Sequence, residues 1–259
     1  MKKLLIVKSI FIPNNEYMNI CFRSITNLLE SIGNDTNIII TGWCKLKKYE
    51  SLVKKINDNI FKYKNVSYDI FFLNYGKYHL LNKLKEYIKD NEYIMYLDHD
   101  ILVTTKIFDS LNNISQLFTQ KDMGILFFNQ SGDSRHQITI YDNIVTEKDI
   151  KLANSSLIGD IGSGAFIISK EIVKMIELKN YPLYGIDDIY LCRLCRKNNK
   201  LYYVLKEYYV EHPIINSNIK YEDWKKKMII HAIKHYNYEA NNFIINDYNI
   251  DIQESNNLW

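Results

Sequence analysis

The chain has 259 residues, of which 47% are hydrophobic and 24% are charged, so intrinsic disorder is excluded and one domain with a full core is expected. Its 33 Lys and Arg nearly balance its 30 Asp and Glu, and a net charge of +3 is too small to make nucleic acid the main partner. No apolar stretch approaches the roughly 20 residues that cross a bilayer.

Two further features bear on location. The apolar run at the N-terminus breaks at Lys8 without a small-residue cleavage site, which favours a first β-strand over a signal peptide. Four cysteines are scattered without a disulfide framework. Both features are typical of a protein in a reducing compartment, and we therefore expect a cytoplasmic location.

Strand and helix patterns alternate along the chain. Apolar runs predict strands over 4–12, 37–43, 69–73, 93–97, 123–128, 163–169, 201–205 and 208–210. Helical spacing covers 16–32 (with Gly33 as C-cap), 49–60, 77–89, 106–117, 170–178, 188–197 and a stretch from Lys220. Residues 129–160 are polar and irregular, so they form either a functional insert or short elements that the pattern does not resolve. The alternation predicts an α/β fold with a mostly parallel sheet and helices on both faces.

The stretch Asp98-His99-Asp100 directly follows the predicted strand 93–97. In open parallel sheets, ligands bind beyond the carboxyl ends of the strands, which is where these two carboxylates are predicted to lie. Carboxylates this close repel each other, and a hard divalent cation, which can also bridge a diphosphate, would compensate the repulsion. The alternative is a helix N-terminus with an acidic first turn, because Thr104 and Thr105 follow.

Other motifs accompany this one in order along the chain. They are Asn74-x-Gly76, Asn82, Asp98-x-Asp100, residues 162–166 (Gly-Ser-Gly-Ala-Phe), residues 187–193 (Asp-Asp-Ile-Tyr-Leu-Cys-Arg) and His212. The ordered set resembles the family-2 inverting glycosyltransferases of the GT-A fold over most of residues 4–213. In that family a similarly spaced Asn, Gly and Asn surround the nucleotide pocket, and a Glu-Asp-x-x-Leu-x-x-Arg pattern is similar to residues 187–193.

The resemblance implies a GT-A-like, Rossmann-like catalytic domain over residues 1–213, with residues 214–259 as a helical extension packed on it. It also implies an enzyme that transfers a sugar, with inversion, from a nucleotide-diphospho-sugar donor. A UDP-sugar is the favoured donor, and the acceptor would be a glycan, a lipid-linked molecule or a protein.

Residue roles follow from the same resemblance. Asp100 would ligate Mn²⁺ or Mg²⁺, and Asp98 would contact the ribose or share the metal. His212 would be a third ligand, and an imidazole in an oxygen site favours Mn²⁺; the alternative is an ordinary histidine that closes a strand before proline. Asp188 matches the family's catalytic carboxylate, which acts as a base and deprotonates the acceptor hydroxyl, and Asp187 is the alternative base.

Residues at the ends of the first strands are expected to line the nucleotide pocket. Ser9 and Phe11 after the first strand and Thr41 and Trp43 after the second are expected to form the rim of this pocket, and the resemblance adds Asn74, Gly76, Asn82 and Asp98 to the candidate set. The alternative is that the two aromatic residues belong to the core. Two departures from the family pattern leave the nucleotide open: Leu81 stands where a basic residue is common, with Lys83 as a substitute, and the second strand lacks the usual acid.

Two other functions compete with a transferase. A haloacid-dehalogenase-type phosphohydrolase also uses Asp-x-Asp at a strand end, but on its first core strand, whereas three strand-helix units precede Asp98 here. A non-catalytic nucleotide-sugar-binding protein would have no need of the Asp188 base. Residues 224–230 combine a basic and an apolar face, which predicts either a peripheral contact with an anionic membrane or simple packing on the domain.

Overall fold

The computed structural model describes residues 3–32, 36–60, 65–120, 122–131, 164–177, 184–185, 187–213 and 219–240. The strands in these ranges are β1 (Leu4–Ile12), β2 (Asn37–Cys44), β3 (Val66–Phe71), β4 (Tyr93–Leu97), β5 (Met123–Ser131), β6 (Ala165–Ser169) and β7 (Leu201–Glu211). The helices are α1 (Asn15–Ser31), α2 (Leu46–Ile60), α3 (Gly76–Ile88), α4 (Thr105–Asp109), α5 (Leu111–Gln120), α6 (Lys170–Met175), α7 (Asp187–Lys197) and α8 (Ile219–Ala240).

The described strands form one seven-stranded sheet in the order β3-β2-β1-β4-β6-β5-β7. Neighbours pair in parallel except at β6, which runs antiparallel to both β4 and β5. The carboxyl ends of β1 to β5 and β7 therefore lie at the same edge of the sheet as the beginning of β6, where Leu97 pairs with Ala165. The predicted mostly parallel α/β fold is confirmed.

Apolar side chains of the sheet bury against helices on both faces. In β1, Ile6 and Ile10 belong to the core beneath α1, whereas Leu5 and Val7 belong to the core on the α3 and α7 side. Successive strand residues point to opposite faces, so a strand buried on both sides reads as the continuous apolar run seen in the sequence. The two-sided core holds β1 and β4 in the middle of the sheet and so positions their carboxyl ends.

Two predicted elements differ from the structure in their continuity. The helix predicted over 106–117 is divided into α4 and α5 at Ser110, whose backbone (φ −96°, ψ 0°) leaves the helical region. The two short runs at 201–205 and 208–210 belong to one strand, β7, and its register against β5 shifts between Phe128 and Asn129. An irregularity of this kind interrupts the alternation of side chains, which is why the pattern appeared to be two strands.

Some predicted features fall partly or wholly outside the described residues. The predicted insert 129–160 begins with three residues that belong to β5, and the remainder of that insert, 132–160, is outside the described ranges. Gly33, expected to end the first helix, is also outside them; at the other end, Asn14 caps α1, and its side chain accepts a hydrogen bond from the Tyr17 amide at 3.1 Å.

Helix α8 turns its apolar face toward the rest of the chain. Its buried residues are Tyr221, Trp224, Met228 and Ala232. Gly185 allows a close approach, because a Cβ there would lie 2.2 Å from the Cβ of Ala232. Lys225 of this helix lies over the rings of Tyr184 and Tyr221, and the membrane contact expected for residues 224–230 stays a prediction. No helix in the described ranges is long and apolar enough to cross a membrane.

Candidate active site at the carboxyl edge of the sheet

The Asp-x-Asp motif forms a turn immediately beyond β4. The Asp98 amide donates to the Gly164 carbonyl at 2.7 Å, so the turn starts beside the first residue of β6. The Ile101 amide then donates back to the Asp98 carbonyl at 3.2 Å, which closes the turn. The motif thus lies where ligands bind in open α/β sheets, beyond the carboxyl ends of the central strands.

Asp100 is buried against two imidazoles. Its Oδ2 lies 3.3 Å from His212 Nε2 and 3.7 Å from His99 Nε2. Burial alone would raise the pKa of Asp100, but His99, His212 and Lys8 outweigh it and hold the pKa well below its usual range. Asp100 therefore stays ionised, as a ligand for a hard cation must.

The pair of Asp100 and His212 suits one part of a metal site. Within the described ranges the second carboxylate oxygen, Oδ1, is buried without a hydrogen-bond partner, an arrangement that is costly unless a cation or a ligand satisfies it. Among the described residues, neither this site nor any other brings three His, Cys, Asp or Glu side chains together in the geometry of a complete metal site. These two residues fit a divalent ion whose remaining ligands are water and phosphate oxygens, as Mg²⁺ and similar ions commonly have.

The Asp98 carboxylate is held by two other side chains. Tyr96 donates to its Oδ1 at 2.9 Å, and Lys77 donates to its Oδ2 at 2.8 Å. Lys77 also lies 3.2 Å from Oδ2 of Asp187, so one ammonium joins the Asp-x-Asp turn to the acidic pair of α7. Burial would lower the pKa of Lys77, but Asp187 and Asp98 outweigh it and raise that pKa well above its ordinary value.

Lys77 belongs to the site although no motif in the sequence predicts it. Its signal in the sequence is its position directly after Gly76, at the start of the helix predicted over 77–89. Lys83, which was expected near the phosphates, has its Nζ 2.6 Å from Oε2 of Glu86 and 3.8 Å from Oδ2 of Asp69.

Asp187 and Asp188 open helix α7 in different environments. Asp187 is buried and pairs with Lys77. Asp188 is half-buried, and its Oδ1 accepts a hydrogen bond from the Ile189 amide at 2.8 Å. Burial and the neighbouring negative charge of Asp187 raise the pKa of Asp188 to about 7. A carboxyl group with a pKa near neutrality is well matched to general acid-base chemistry.

An aromatic cluster borders the Asp-x-Asp turn. The Phe11 ring lies 5.2 Å from Trp43, 5.5 Å from Tyr17 and 5.7 Å from His99 between centroids. Tyr221 of α8 approaches Phe11 to 5.3 Å from the other side. Trp43 is almost fully buried, whereas Phe11 is half-buried next to the turn.

Ser9 and Thr41, expected to rim the nucleotide pocket, are both buried. Ser9 hydrogen-bonds to Tyr96, the residue that also holds Asp98. Thr41 Oγ1 lies 3.0 Å from the hydroxyl of Tyr87, and that hydroxyl donates to Asp69 at 2.6 Å. Ser9 therefore supports the Asp-x-Asp turn indirectly, whereas Thr41 lies within contacts between β2 and α3.

The candidate residues Asn74, Gly76 and Asn82 lie in and just before α3 and differ in their positions. Asn74 is buried and its Oδ1 accepts from the Gly76 amide at 3.0 Å, so it shapes the loop before the helix. Gly76 has φ +74°, a conformation that glycine adopts without strain, and Lys77 follows it into the site. Asn82 is half-buried further along α3. The structure thus brings together Asp98, Asp100, His212 and Asp187, with Asp188 adjacent to Asp187.

Comparison with known proteins bears on the fold. No protein-family model and no curated protein matches the chain. The mannosyltransferase PcManGT from Pyrobaculum calidifontis, in complex with GDP-Man and Mn²⁺, has a TM-score of 0.62 at 12% identity, covering 99% of this chain and 69% of that one. GalNAc-T7 with UDP, GalNAc and Mn²⁺ has a TM-score of 0.60 at 11% identity, covering 83% of this chain and 44% of that one.

A third structure, TarS of S. aureus, has a TM-score of 0.57 at 14% identity and covers 82% of this chain and 37% of that one. This chain spans less than half the length of GalNAc-T7 and of TarS. At these identities the likeness shows the GT-A-like fold and leaves the chemistry to be argued from the site itself.

Proposed function

We propose that this chain is a glycosyltransferase that uses a nucleotide-diphospho-sugar donor and a divalent metal ion, and that it transfers the sugar with inversion. The observation that carries the proposal is the buried Asp100 carboxylate: one oxygen lies 3.3 Å from His212, and the other has no hydrogen-bond partner among the residues that the structure describes. An ionised acid and an imidazole at the carboxyl edge of a GT-A-like sheet are suited to hold a metal that meets a diphosphate.

Asp100 and His212 are the residues that would hold the metal. A divalent cation bound there would neutralise the charge that develops on the departing diphosphate. Because one of the two protein ligands is an imidazole, Mn²⁺ is favoured over Mg²⁺. Asp98, which Lys77 and Tyr96 hold in place, would accept a hydrogen bond from the ribose or share the metal.

Asp188 is proposed as the general base. It would take the proton of the acceptor hydroxyl while that oxygen bonds to the anomeric carbon. The bond from the same carbon to the diphosphate oxygen breaks on the opposite face, and one such displacement inverts the anomeric centre. Asp187 is less suited to the role, because its carboxylate already pairs with the Lys77 ammonium.

The donor and acceptor are proposed by class. UDP and GDP-Man are the nucleotide ligands named for two of the similar structures, and both of those contain Mn²⁺. These ligands belong to those proteins, but they support a nucleotide-sugar donor here, with UDP favoured. The acceptor is proposed to be a hydroxyl of a glycan, a lipid-linked molecule or a protein. Residues 1–213 would form the catalytic domain, with 214–259 as its extension.

The direct test is donor turnover by the purified chain. UDP-sugars and GDP-sugars are supplied in turn with Mn²⁺ or with EDTA, and release of the nucleoside diphosphate is measured. We expect release that requires Mn²⁺ and that Lys77→Met weakens, with exposed Lys85→Met in the same helix as the matched control. Release of phosphate from a generic phosphoester, without release from any nucleotide sugar, would refute the proposal in favour of a phosphohydrolase.

A further inference from the structure

Residues 98–103, here called the Asp-x-Asp segment, connect β4 to α4 without forming a helix or a named strand. Such a segment has no regular partners for its backbone amides and carbonyls, and buried backbone groups must nevertheless be satisfied. Here three side chains from β1 and α1 provide those partners. They are Lys8, Ser24 and Asn27, and together they reach four residues of the segment.

Lys8 makes the most unusual of these contacts. It is a fully buried lysine in the middle of β1, flanked on its own face by Ile6 and Ile10. Its ammonium donates to the carbonyl of Asp98 and, at 3.1 Å, to the carbonyl of Ile101. A buried charge of this kind adds little net stability compared with an apolar side chain of the same size. Its contacts point instead to a role in setting the conformation of the segment.

Asn27 and Ser24 act on the same segment from α1. Asn27 binds both backbone groups of Val103, accepting from its amide at 2.7 Å and donating to its carbonyl at 3.1 Å. Ser24 donates to the carbonyl of His99 at 2.5 Å. Lys8 and Asn27 thus hold the two ends of the segment, and Ser24 holds the residue that precedes Asp100.

The opposite side of the segment is tied to β7. Leu102 and Glu211 exchange two backbone hydrogen bonds, of 3.0 and 2.9 Å. Since His212 follows Glu211 and Asp100 lies two residues before Leu102, this bridge sets the distance between the two proposed metal ligands. The bridge fixes the backbone at Leu102, and the Lys8 and Ser24 contacts fix the backbone on either side of Asp100, so a change of conformation over residues 98–101 would move the Asp100 carboxylate relative to His212.

We propose that Lys8, Ser24 and Asn27 are positioning residues for the Asp100–His212 pair. This inference rests on the proposed function, in which that pair holds the metal. The three residues act through the backbone of the Asp-x-Asp segment. Loss of residues that orient metal ligands commonly lowers metal affinity by about 10- to 100-fold, and we expect a loss of that size here.

The experiment compares wild-type protein with Lys8→Met, Ser24→Ala and Asn27→Leu. Leu52→Ala in α2 is the control, because it removes a buried apolar side chain from a different helix. Thermal unfolding is recorded for each variant, and Mn²⁺ binding in the presence of uridine diphosphate is measured by calorimetry well below every Tm. We expect weakened Mn²⁺ binding in the three variants and wild-type affinity in Leu52→Ala, even where its Tm falls as far.

Each outcome decides one point. Wild-type Mn²⁺ affinity in Asn27→Leu and Ser24→Ala would overturn the positioning role and leave the proposed function intact. An equal loss of affinity in Leu52→Ala would overturn it as well, since general destabilisation would then be the cause. Absence of Mn²⁺-dependent binding in the wild-type protein would overturn the proposed function and the positioning role with it. If Lys8→Met does not fold, the two α1 variants decide the matter.

Discussion

Replacing Asp188 by Asn should stabilise the folded protein and abolish most of the protein's activity. The carboxyl pKa is raised from 3.8 to about 7 by burial and by the charge of Asp187, so the ionised form is disfavoured in the folded state. Asparagine resembles the neutral acid and can still accept the hydrogen bond from the Ile189 amide. The same environment that makes Asp188 a suitable base therefore lowers the stability of the fold.

The sign and the size of this effect follow from proton linkage. Between pH 4 and 7 the folded state retains a proton that the unfolded state has lost, so the free energy of unfolding of the wild type falls as pH rises. Above pH 7 the ionised Asp188 carboxylate lowers the free energy of unfolding of the wild type by at most about 4 kcal/mol. Solvent at the half-buried carboxylate reduces it, and we expect a gain of about 1–2 kcal/mol for Asp188→Asn at pH 8.

Urea unfolding at pH 4.5 and pH 8 measures the gain directly. The difference in free energy of unfolding between Asp188→Asn and the wild type should be small at pH 4.5 and large at pH 8. Asp187→Asn is the matched control, and it should destabilise because it removes a partner of the buried Lys77 ammonium. Donor turnover of Asp188→Asn should fall by about 10²- to 10⁴-fold with donor binding nearly intact. A stability change that does not depend on pH, or a larger kinetic defect in Asp187→Asn, would refute the reasoning.

Three further outcomes are expected. Asp100→Ala should abolish Mn²⁺-dependent donor binding measured by calorimetry, whereas Asp98→Ala should weaken it less; tight binding in Asp100→Ala would place the site elsewhere. Lys77→Met should raise the KM for the donor, because it leaves two neighbouring carboxylates without their shared ammonium. Gly42→Ala should lower the Tm by several degrees, since φ is +136° and a Cβ would lie 2.1 Å from the Ile10 carbonyl oxygen. An unchanged Tm would contradict that packing.

Local patterns were sufficient for much of the fold. The apolar run of β1 and the helical spacing of α1 each depend on neighbours in sequence, and both elements end within a residue of the prediction. Predictions failed where distant contacts decide the outcome. The continuity of β7, for example, depends on its pairing with β5 across a register shift, which no local pattern records.

The site divides along the same line. Asp98, Asp100, Asp188 and His212 could be singled out because they stand in recognisable motifs at predicted strand and helix ends. The partners of those residues could not be predicted, because they are distant in sequence: Lys77 is 21 positions from Asp98, and Lys8 is 90 positions from it.

The sequence by itself determined the strand-helix order and the residue types available for metal, diphosphate and proton chemistry, because both are local properties. Only the tertiary structure decided that Asp100 meets His212, that Asp187 rather than Asp188 pairs with a lysine, and that Thr41 is buried. The physical reason is that hydrogen bonds, pKa shifts and burial depend on distances between atoms, and those distances follow from the packing of strands and helices that are far apart in the chain.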